Sequence, residues 1–393
     1  MNKKIGIITP AYNSFPDVMY AMQSVKAQTF TNYTHYIYDD ASTDKTKDLV
    51  TSIMPDNKIF YYQGDVNKGQ SFGRNFLIKK AIEDGCDYIA FLDADDFWLK
   101  HHLEKSIQCL EESDIVYSTP EFIQSTGYPA YMTNVPIPKI FIGKQLKHNN
   151  FIWISSVVAK KECFLNNEFD SSLDSIEDWD MWIRLNDQNF KFTKQPETTI
   201  LYKVNTNSQA AVGKTKIPLM NQKHQLISQL KLHLACGLDY QPDYINVDLY
   251  PLPQGKYDAH FDVSKLPYED NSVDEIRAFH IIEHFDFFES QHVLNEWYRV
   301  LKPGGRLWVE TPDFLATCDA FVKGDEDFRV LLYGQFFAHP WIPGQTHKFL
   351  FTEGQLATHL SWSKFKSFKR LPPASNYVMD STVNLFLNAE VFK

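Results

Sequence analysis

Short apolar runs alternate with amphipathic stretches in two successive series along this chain, and that alternation narrows the fold more than any single motif. In the first series "KIGIITP", "THYIYDD", "KIFYYQG" and "YIAFLDADD" read as strands, and residues 16–28, 44–53, 70–84 and 100–112 read as helices. Strands separated by helices predict an α/β fold, a mostly parallel sheet with helices on both faces. Ligands of such sheets bind beyond the carboxyl ends of the strands, where Thr9, Asp39, Asp40 and the Asp93 to Asp96 group fall. A second series begins at "KLHLACG". It continues through "YINVDLY" (244–250), "VDEIRAFH" (273–280), a helix at 290–300 and "GRLWVETP" (305–312), with a terminal antiparallel strand expected in "VNLFLNAEVF" (383–392). Between the series the polar stretch 205–229, with Gly213 and Pro218, reads as a linker ending in a helical tail. The expected division is a domain at 1–215, a linker helix at 216–229 and a domain at 230–393.

A chain of 393 residues is long for one domain at roughly 100 to 200 residues each, so two cores are expected. Hydrophobic residues at 44% and charged residues at 22% suffice to build both. A formal charge of −10 argues against broad contact with nucleic acid, which needs clustered Lys and Arg. The five cysteines (Cys86, Cys109, Cys163, Cys236, Cys318) have no C-x-x-C spacing, which fits a reducing cytoplasm better than a disulfide framework or a zinc site. The opening "MNKKIGIITPAYNS" lacks the apolar core of a signal peptide. No stretch approaches the roughly 18 apolar residues of a spanning helix, so any membrane contact is expected to be peripheral, at the inner face.

In "FLDADD" three carboxylates, Asp93, Asp95 and Asp96, follow a strand within four positions. Each raises the cost of ionising the next, and a hard divalent cation carrying a phosphorylated substrate would offset them. Asp39 and Asp40 precede "AST", which is also good turn and cap chemistry. In "SIEDWDMWIRL" a capped helix start leads into Trp179, Trp182 and Ile183 at helical spacing, which are expected in a core.

The ordered segments "IITPAYNS", "SVKAQTF", "IYDDASTDKT", "NKGQSFGRN", "FLDADD" and "EDWDMWIRL" resemble family 2 glycosyltransferases of the GT-A fold over roughly residues 3 to 205. The resemblance implies a nucleotide-sugar donor, expected to be UDP-linked, held with Mn2+ or Mg2+. It implies that Asp95 is the chief metal ligand and that Asp93 faces the metal or ribose. Thr9, Ala11 and Tyr12 would wrap the base and ribose, Asp40 and with it Asp39 would meet the uracil, and Asn67 and Arg74 would lie along the nucleotide. Asp178 is the expected general base, Glu177 the alternative, and the family mechanism inverts the anomeric carbon. The chain departs from the family at "LYKVNTNS", where Asn205 stands at the position of a His that assists the metal or diphosphate.

The second half, over about 230 to 393, carries "LHLACGLDYQPDYINVDLYP", "HFDVSKLPYEDNSVDEIRAFHIIEHF" and "EWYRVLKPGGRLWVETPDF". These resemble class I S-adenosylmethionine-dependent methyltransferases, which implies a Rossmann-like domain. Ala235, Cys236 and Gly237 would form the loop beside the methionine part of the cofactor, Asp248 would bind the ribose hydroxyls, and Asp262 with Val263 would meet the adenine. Ala235 stands where many members carry glycine. His280 and His284, with Glu283 between them, follow the fourth strand of this resemblance and are the candidate catalytic bases. His339, Trp341, His347 and Phe349 are candidates for an acceptor pocket.

Together the two halves imply a bifunctional enzyme that transfers a sugar to a glycan or lipid-linked glycan and O-methylates the glycan. Two alternatives remain at this stage: a second half that only binds or dimerises, and a modifier of nucleic acid bases, which the acidic charge disfavours.

Overall fold

The structure, a computed structural model, describes residues 3–53, 57–124, 140–204, 210–249, 255–337, 346–372 and 386–393. The chain forms two compact units, Met1–Leu226 and Ile227–Lys393.

The first unit opens with the expected alternation: β1 (Ile5–Ala11), α1 (Asp17–Lys26), β2 (Tyr33–Asp39), α2 (Thr46–Ile53), β3 (Ile59–Gln63), α3 (Gln70–Glu83) and β4 (Tyr88–Phe91). It continues through β5 (Phe97–Trp98), α4 (His102–Leu110), β6 (Ile115–Tyr117), β7 (Glu121–Gln124), β8 (Val158–Lys160), α5 (Glu177–Asp187), β9 (Phe192–Lys194), β10 (Ile200–Val204) and α6 (Ala210–His224). The main sheet has the order β3-β2-β1-β4-β8-β6-β9. Its first four strands are parallel, and β8 runs antiparallel to both β4 and β6. A second small sheet, β5-β10-β7, did not announce itself in the sequence, because its strands are two to five residues long. Helix α3 lies close on β1: a Cβ on Gly6 would stand 2.6 Å from the Ala81 Cβ. The strand order reverses between β1 and β4, so the loops after these strands face a common crevice.

The linker reading is corrected by α6. This helix begins at Ala210, runs through Gly213 and Pro218, and belongs to the first unit. Met220 is fully buried in that unit's core, Ile217 and Leu226 pack against the same cluster, and Lys216 Nζ donates to the Asp174 carbonyl at 2.8 Å. Tertiary packing overrides the poor local propensity of a segment containing glycine and proline.

The second unit comprises β11 (Lys231–Leu234), β12 (Ile245–Val247), β13 (Val273–Phe279), α7 (Phe287–Val300), β14 (Leu301–Pro312), α8 (Phe314–Lys323), α9 (Glu326–Phe337), α10 (Glu353–Trp362), β15 (Lys366–Leu371) and β16 (Phe386–Phe392). The sheet order is β12-β11-β13-β14-β16-β15. The first four are parallel, and β16 is antiparallel to both neighbours. Asp286 starts α7 with a capping box to Glu289, and Trp297 on that helix is buried against the sheet. Here the order reverses between β11 and β13, which sets the loops after β11, β12 and β13 around one crevice. All five cysteines are free. Among the described residues, no helix is long and apolar enough to cross a membrane.

Candidate functional site

In the first unit the site is organised by Arg74 on α3, which is only 1% exposed. Its Nη2 donates to Asp93 Oδ1 at 2.7 Å and its Nη1 to Glu177 Oε1, an oxygen that also accepts from Gln70 Nε2 at 2.7 Å. Burial opposes a charged guanidinium, but the Asp93 and Glu177 carboxylates outweigh it and hold its pKa above the ordinary range. One side chain thereby joins α3, the end of β4 and the start of α5.

The three carboxylates after β4 divide in role. Asp96 is buried, with Oδ2 accepting from Ser155 Oγ at 2.5 Å and Oδ1 from the Lys203 N–H at 2.9 Å, so it ties β10 to the β4 loop. Asp95 is partly buried, and burial followed by the charge of Asp93 pushes its carboxyl up to about 6. Asp93 and Asp95 thus carry a repulsion that a cation would relieve. Two carboxylates fit Mg2+ or Mn2+, which bind through one or two of them with substrate phosphates completing the shell.

Asp178 opens α5. Asn150 Nδ2 donates to its Oδ2 at 3.0 Å and the Trp179 N–H to its Oδ1 at 2.7 Å. Burial and the neighbouring Glu177 nevertheless push it up to about 7, a value suited to accepting a proton near neutrality. Glu177 itself is 2% exposed, and its Oε1 is bound to both Arg74 and Gln70, while its Oε2 has no hydrogen-bond partner.

Strand geometry sets what the other expected nucleotide contacts can offer. Thr9 is fully buried and its Oγ1 meets His35 Nε2 at 2.9 Å, while Ala11 packs with Val18, Met22 and Ile37. Both therefore offer only backbone to the crevice, and Tyr12, 49% exposed, is the side chain that projects. Asp39 accepts from the Ser42 N–H at 2.8 Å and from Tyr61 Oη at 2.7 Å. Asp40 accepts from the Lys68 and Gly69 N–H groups at 2.8 Å each, which pins the loop before α3. These two are the turn-anchoring carboxylates that their sequence context also allowed; the remaining lone pairs of Asp40 stay open to a base. Asn67 is exposed and accepts from the Gly69 N–H at 3.1 Å. Tyr202 on β10 was missed: its hydroxyl is pushed up by burial and then by Asp96, Asp93, Asp95 and Asp178, which places it amid the site's carboxylates. Asn205 lies outside the described residues.

In the second unit, Ala235 and Gly237 both take left-handed backbone, with φ of 52° and 53°. Ala235 thus keeps the conformation glycine would adopt, at a steric cost of roughly 1–2 kcal/mol. The Gly237 N–H donates to Asp248 Oδ2 at 2.9 Å and the Cys236 N–H to the Val247 carbonyl at 3.0 Å, so the loop is braced on β12. Cys236 contributes backbone alone: its side chain is buried, with Sγ 3.8 Å from the Lys256 carbonyl, and burial and Asp248 push the thiol up to about 12. Ala235, Cys236, Gly237 and Asp248 are brought together. Asp262 is exposed and its Oδ1 accepts from the Ser264 N–H at 2.8 Å, while the Val263 carbonyl accepts from Trp297 Nε1 at 3.0 Å.

His280 is corrected as a base. Its Nε2 lies 3.2 Å from Glu310 Oε1 and its Nδ1 3.7 Å from Glu283 Oε1, both carboxylates fully buried. Burial disfavours the charged ring, but the two carboxylates outweigh it and push His280 up to about 9. At neutral pH it is protonated and cannot take a proton. His284 Nδ1 faces the Thr346 carbonyl at 3.2 Å, and its ring lies 5.0 Å from that of His347. Phe349 packs on Phe351 and Phe287. His339 and Trp341 lie outside the described residues. Glu310 was also missed, although a carboxylate inside the apolar strand "RLWVETP" marks a buried charge that needs a partner.

With this geometry, the comparisons are decisive for family. Residues 6–162 match the glycosyl transferase family 2 model, and residues 224–309 match a methyltransferase domain model. The chain joins a family 2 glycosyltransferase domain to a class I methyltransferase domain. An uncharacterized glycosyltransferase of Rickettsia felis is 31% identical over 189 residues, covering 47% of this chain and 31% of that one. The chain therefore spans about a third of that relative's length. An Escherichia coli UDP-Glc:alpha-D-GlcNAc-diphosphoundecaprenol beta-1,3-glucosyltransferase, WfaP, is 28% identical over 234 residues, covering 60% of this chain and 87% of WfaP. A solved structure of S. aureus TarS 1-349 in complex with UDP is 19% identical with a TM-score of 0.42, covering 51% of this chain and 61% of that one.

The strained loop of the methyltransferase domain yields a test. Ala235→Gly removes the left-handed cost and returns part of it as chain entropy in the unfolded state. Urea unfolding should show this domain stabilised by about 0.5 to 1 kcal/mol; a loss of stability would mean that the methyl group is needed for packing.

Proposed function

We propose that the chain is a bifunctional glycan-modifying enzyme: the first domain transfers a sugar from a UDP-linked donor to a glycan or lipid-linked glycan hydroxyl, with inversion, and the second O-methylates the glycan. The observation that carries this reading is the pair of switch-point crevices in one chain, each lined by the polar groups its chemistry needs. The lipid-linked acceptor of WfaP supports a comparable acceptor here, and a peripheral position at the inner face of a membrane would bring the enzyme to it.

In the first crevice Asp93 and Asp95 would hold Mg2+ or Mn2+. The ion, when bound, supplies positive charge against the diphosphate leaving group. Arg74 fixes Asp93 and, through Glu177, the start of α5. Asp178 takes the proton of the acceptor hydroxyl as its oxygen bonds to the anomeric carbon and the bond to the diphosphate breaks, a single displacement that inverts that carbon. In the second crevice Asp248 would hold the ribose of S-adenosylmethionine, the Ala235–Gly237 backbone its methionine part, and Asp262 with Val263 its adenine. The bound cofactor supplies an electrophilic methyl group. The loop after β13, with His284, is where the acceptor would lie. Fusion raises the local concentration of one activity's product near the other.

Two measurements test the reading. Incubated with UDP-glucose, an undecaprenyl-diphosphate-linked N-acetylglucosamine acceptor and S-adenosylmethionine, the full chain should add one hexose and one methyl group by mass spectrometry. Asp95→Ala should remove the hexose, and Asp248→Ala should remove only the methyl; an Asp95→Ala variant of full activity contradicts the first half. Because Asp178 must be ionised to act and its carboxyl lies at about 7, kcat for sugar transfer should rise with pH through about 7 and then level. Asp178→Asn should lower kcat by about 10² to 10⁴ with UDP affinity kept. A pH-independent kcat, or an active Asn variant, removes Asp178 as the base.

A further inference from the structure

Beyond the two crevice assignments, the turn after β13 holds a cluster that neither family match explains. The ligand atoms of Glu283, His284 and His347 lie within 4.8 Å of one another, and among the described residues these three form the group of His, Cys, Asp or Glu side chains close enough to share a metal ion. Glu283 is fully buried, and its Oε1 has no hydrogen-bond partner. Its charge is offset by His280, but the oxygen itself accepts no hydrogen bond. It faces His347 Nε2 at 3.9 Å and His280 Nδ1 at 3.7 Å, both beyond hydrogen-bond reach, and His280 has its nearer partner in Glu310 at 3.2 Å.

The groups behind the ligands are already oriented. Glu283 Oε2 accepts from Thr311 Oγ1 at 3.0 Å, which turns Oε1 toward the histidines. His284 Nδ1 is directed at the Thr346 carbonyl at 3.2 Å, which selects the tautomer that presents Nε2 as a ligand. The Lys348 and Phe349 N–H groups donate to the Glu283 carbonyl at 2.8 and 3.2 Å, so backbone bonds fix the segment carrying His347 beside the turn carrying the other two ligands. This arrangement of second partners is what metal-binding histidines and carboxylates usually have.

We infer that Glu283 Oε1, His284 Nε2 and a His347 ring nitrogen form a site for a divalent transition metal of the zinc class. Two imidazoles and one carboxylate suit such an ion better than Mg2+ or Ca2+. Tetrahedral metal bonds of about 2.0 to 2.2 Å place ligand atoms roughly 3.4 Å apart, so binding draws the three side chains together by up to about 1.4 Å, and three protein ligands leave a position open to an oxygen donor. Resting on the methyl-transfer reading, that position takes the acceptor hydroxyl: the ion lowers its pKa, its proton passes to water, and its oxygen bonds to the methyl carbon as the sulfur–carbon bond breaks and S-adenosylhomocysteine leaves. His284 is then a ligand and not a base.

The test uses the full chain stripped with chelator and carrying Asp95→Ala, so that the glycosyltransferase domain contributes no metal. Titration with Co2+ should show one equivalent bound, with visible d–d absorption, and X-ray absorption should show two imidazole nitrogens and oxygen in the shell. Adding His347→Gln should weaken Co2+ at least tenfold while S-adenosylhomocysteine binding by calorimetry persists. Absence of Co2+ binding, a shell without imidazole, or equal affinity in the His347→Gln protein overturns the site. Should the His347→Gln protein fail to fold, the absorption spectrum of the parent decides alone. Co2+ binding without any S-adenosylhomocysteine binding would leave the metal site standing and remove the methyl-transfer reading instead.

Discussion

A single buried guanidinium holds the glycosyltransferase site in shape. Arg74 reaches from α3 to Asp93 at the end of β4 and to Glu177 at the start of α5, positions 19 and 103 residues away in the chain. With the charge fully enclosed, removing Arg74 would leave both carboxylates without their counter-ion, an effect of about 3–5 kcal/mol for buried pairs. The consequence for chemistry is a separation of roles. Glu177 is fixed by the pair and Asp96 by Ser155 and the Lys203 backbone, and the roles proposed here fall to the other two: Asp95 to meet a cation and Asp178 to exchange a proton. Two carboxyl groups with raised pKa values, about 6 and about 7, stand in one crevice because burial and like charge act on both.

The methyltransferase domain uses the same device. His280 is the buried cation between Glu283 and Glu310, and it fixes the turn after β13 as Arg74 fixes the first crevice. Left-handed backbone at Ala235 and His280 marks the ends of β11 and β13, the places where such strain collects at working sites. Asn13 and Ala41 do the same after β1 and β2. Strain, buried charge and the strand-order reversal therefore coincide in each unit.

Much of this was legible in the residues. Strand and helix periodicity placed β1 to β4, α1 to α4 and the strands β11 to β14 within a few residues, because long apolar and amphipathic runs carry their own signal. The second sheet was not, since its strands are too short to show a period. Helix α6 was read as a linker with a helical tail from 216 because Gly213 and Pro218 punctuate a polar stretch, whereas the burial of Met220 that ties it to the first unit is tertiary. Site residues followed the same division. Asp93, Asp95, Asp178 and Asp248 stand at strand or helix ends, where a sequence pattern can point to them, and they carry the proposed roles. Thr9 was assigned to the ligand because sequence does not say which way a strand residue points, and His35 turned out to be its partner. His280 looked like a base because nothing nearby in the sequence reveals Glu310, thirty residues on, beside it. The approach of His347 to Glu283 likewise depends on a chain reversal that no local pattern records.

The central claim is that both crevices bind their cofactors in one polypeptide, and calorimetric titration of the full-length chain tests it most directly. UDP with Mn2+ and, separately, S-adenosylhomocysteine should each bind one equivalent at about micromolar Kd, near −8 kcal/mol. A chain that binds UDP but gives no heat with S-adenosylhomocysteine would contradict the claim, and would mean that the methyl group of Ala235 closes the loop and the second domain serves only as a structural partner.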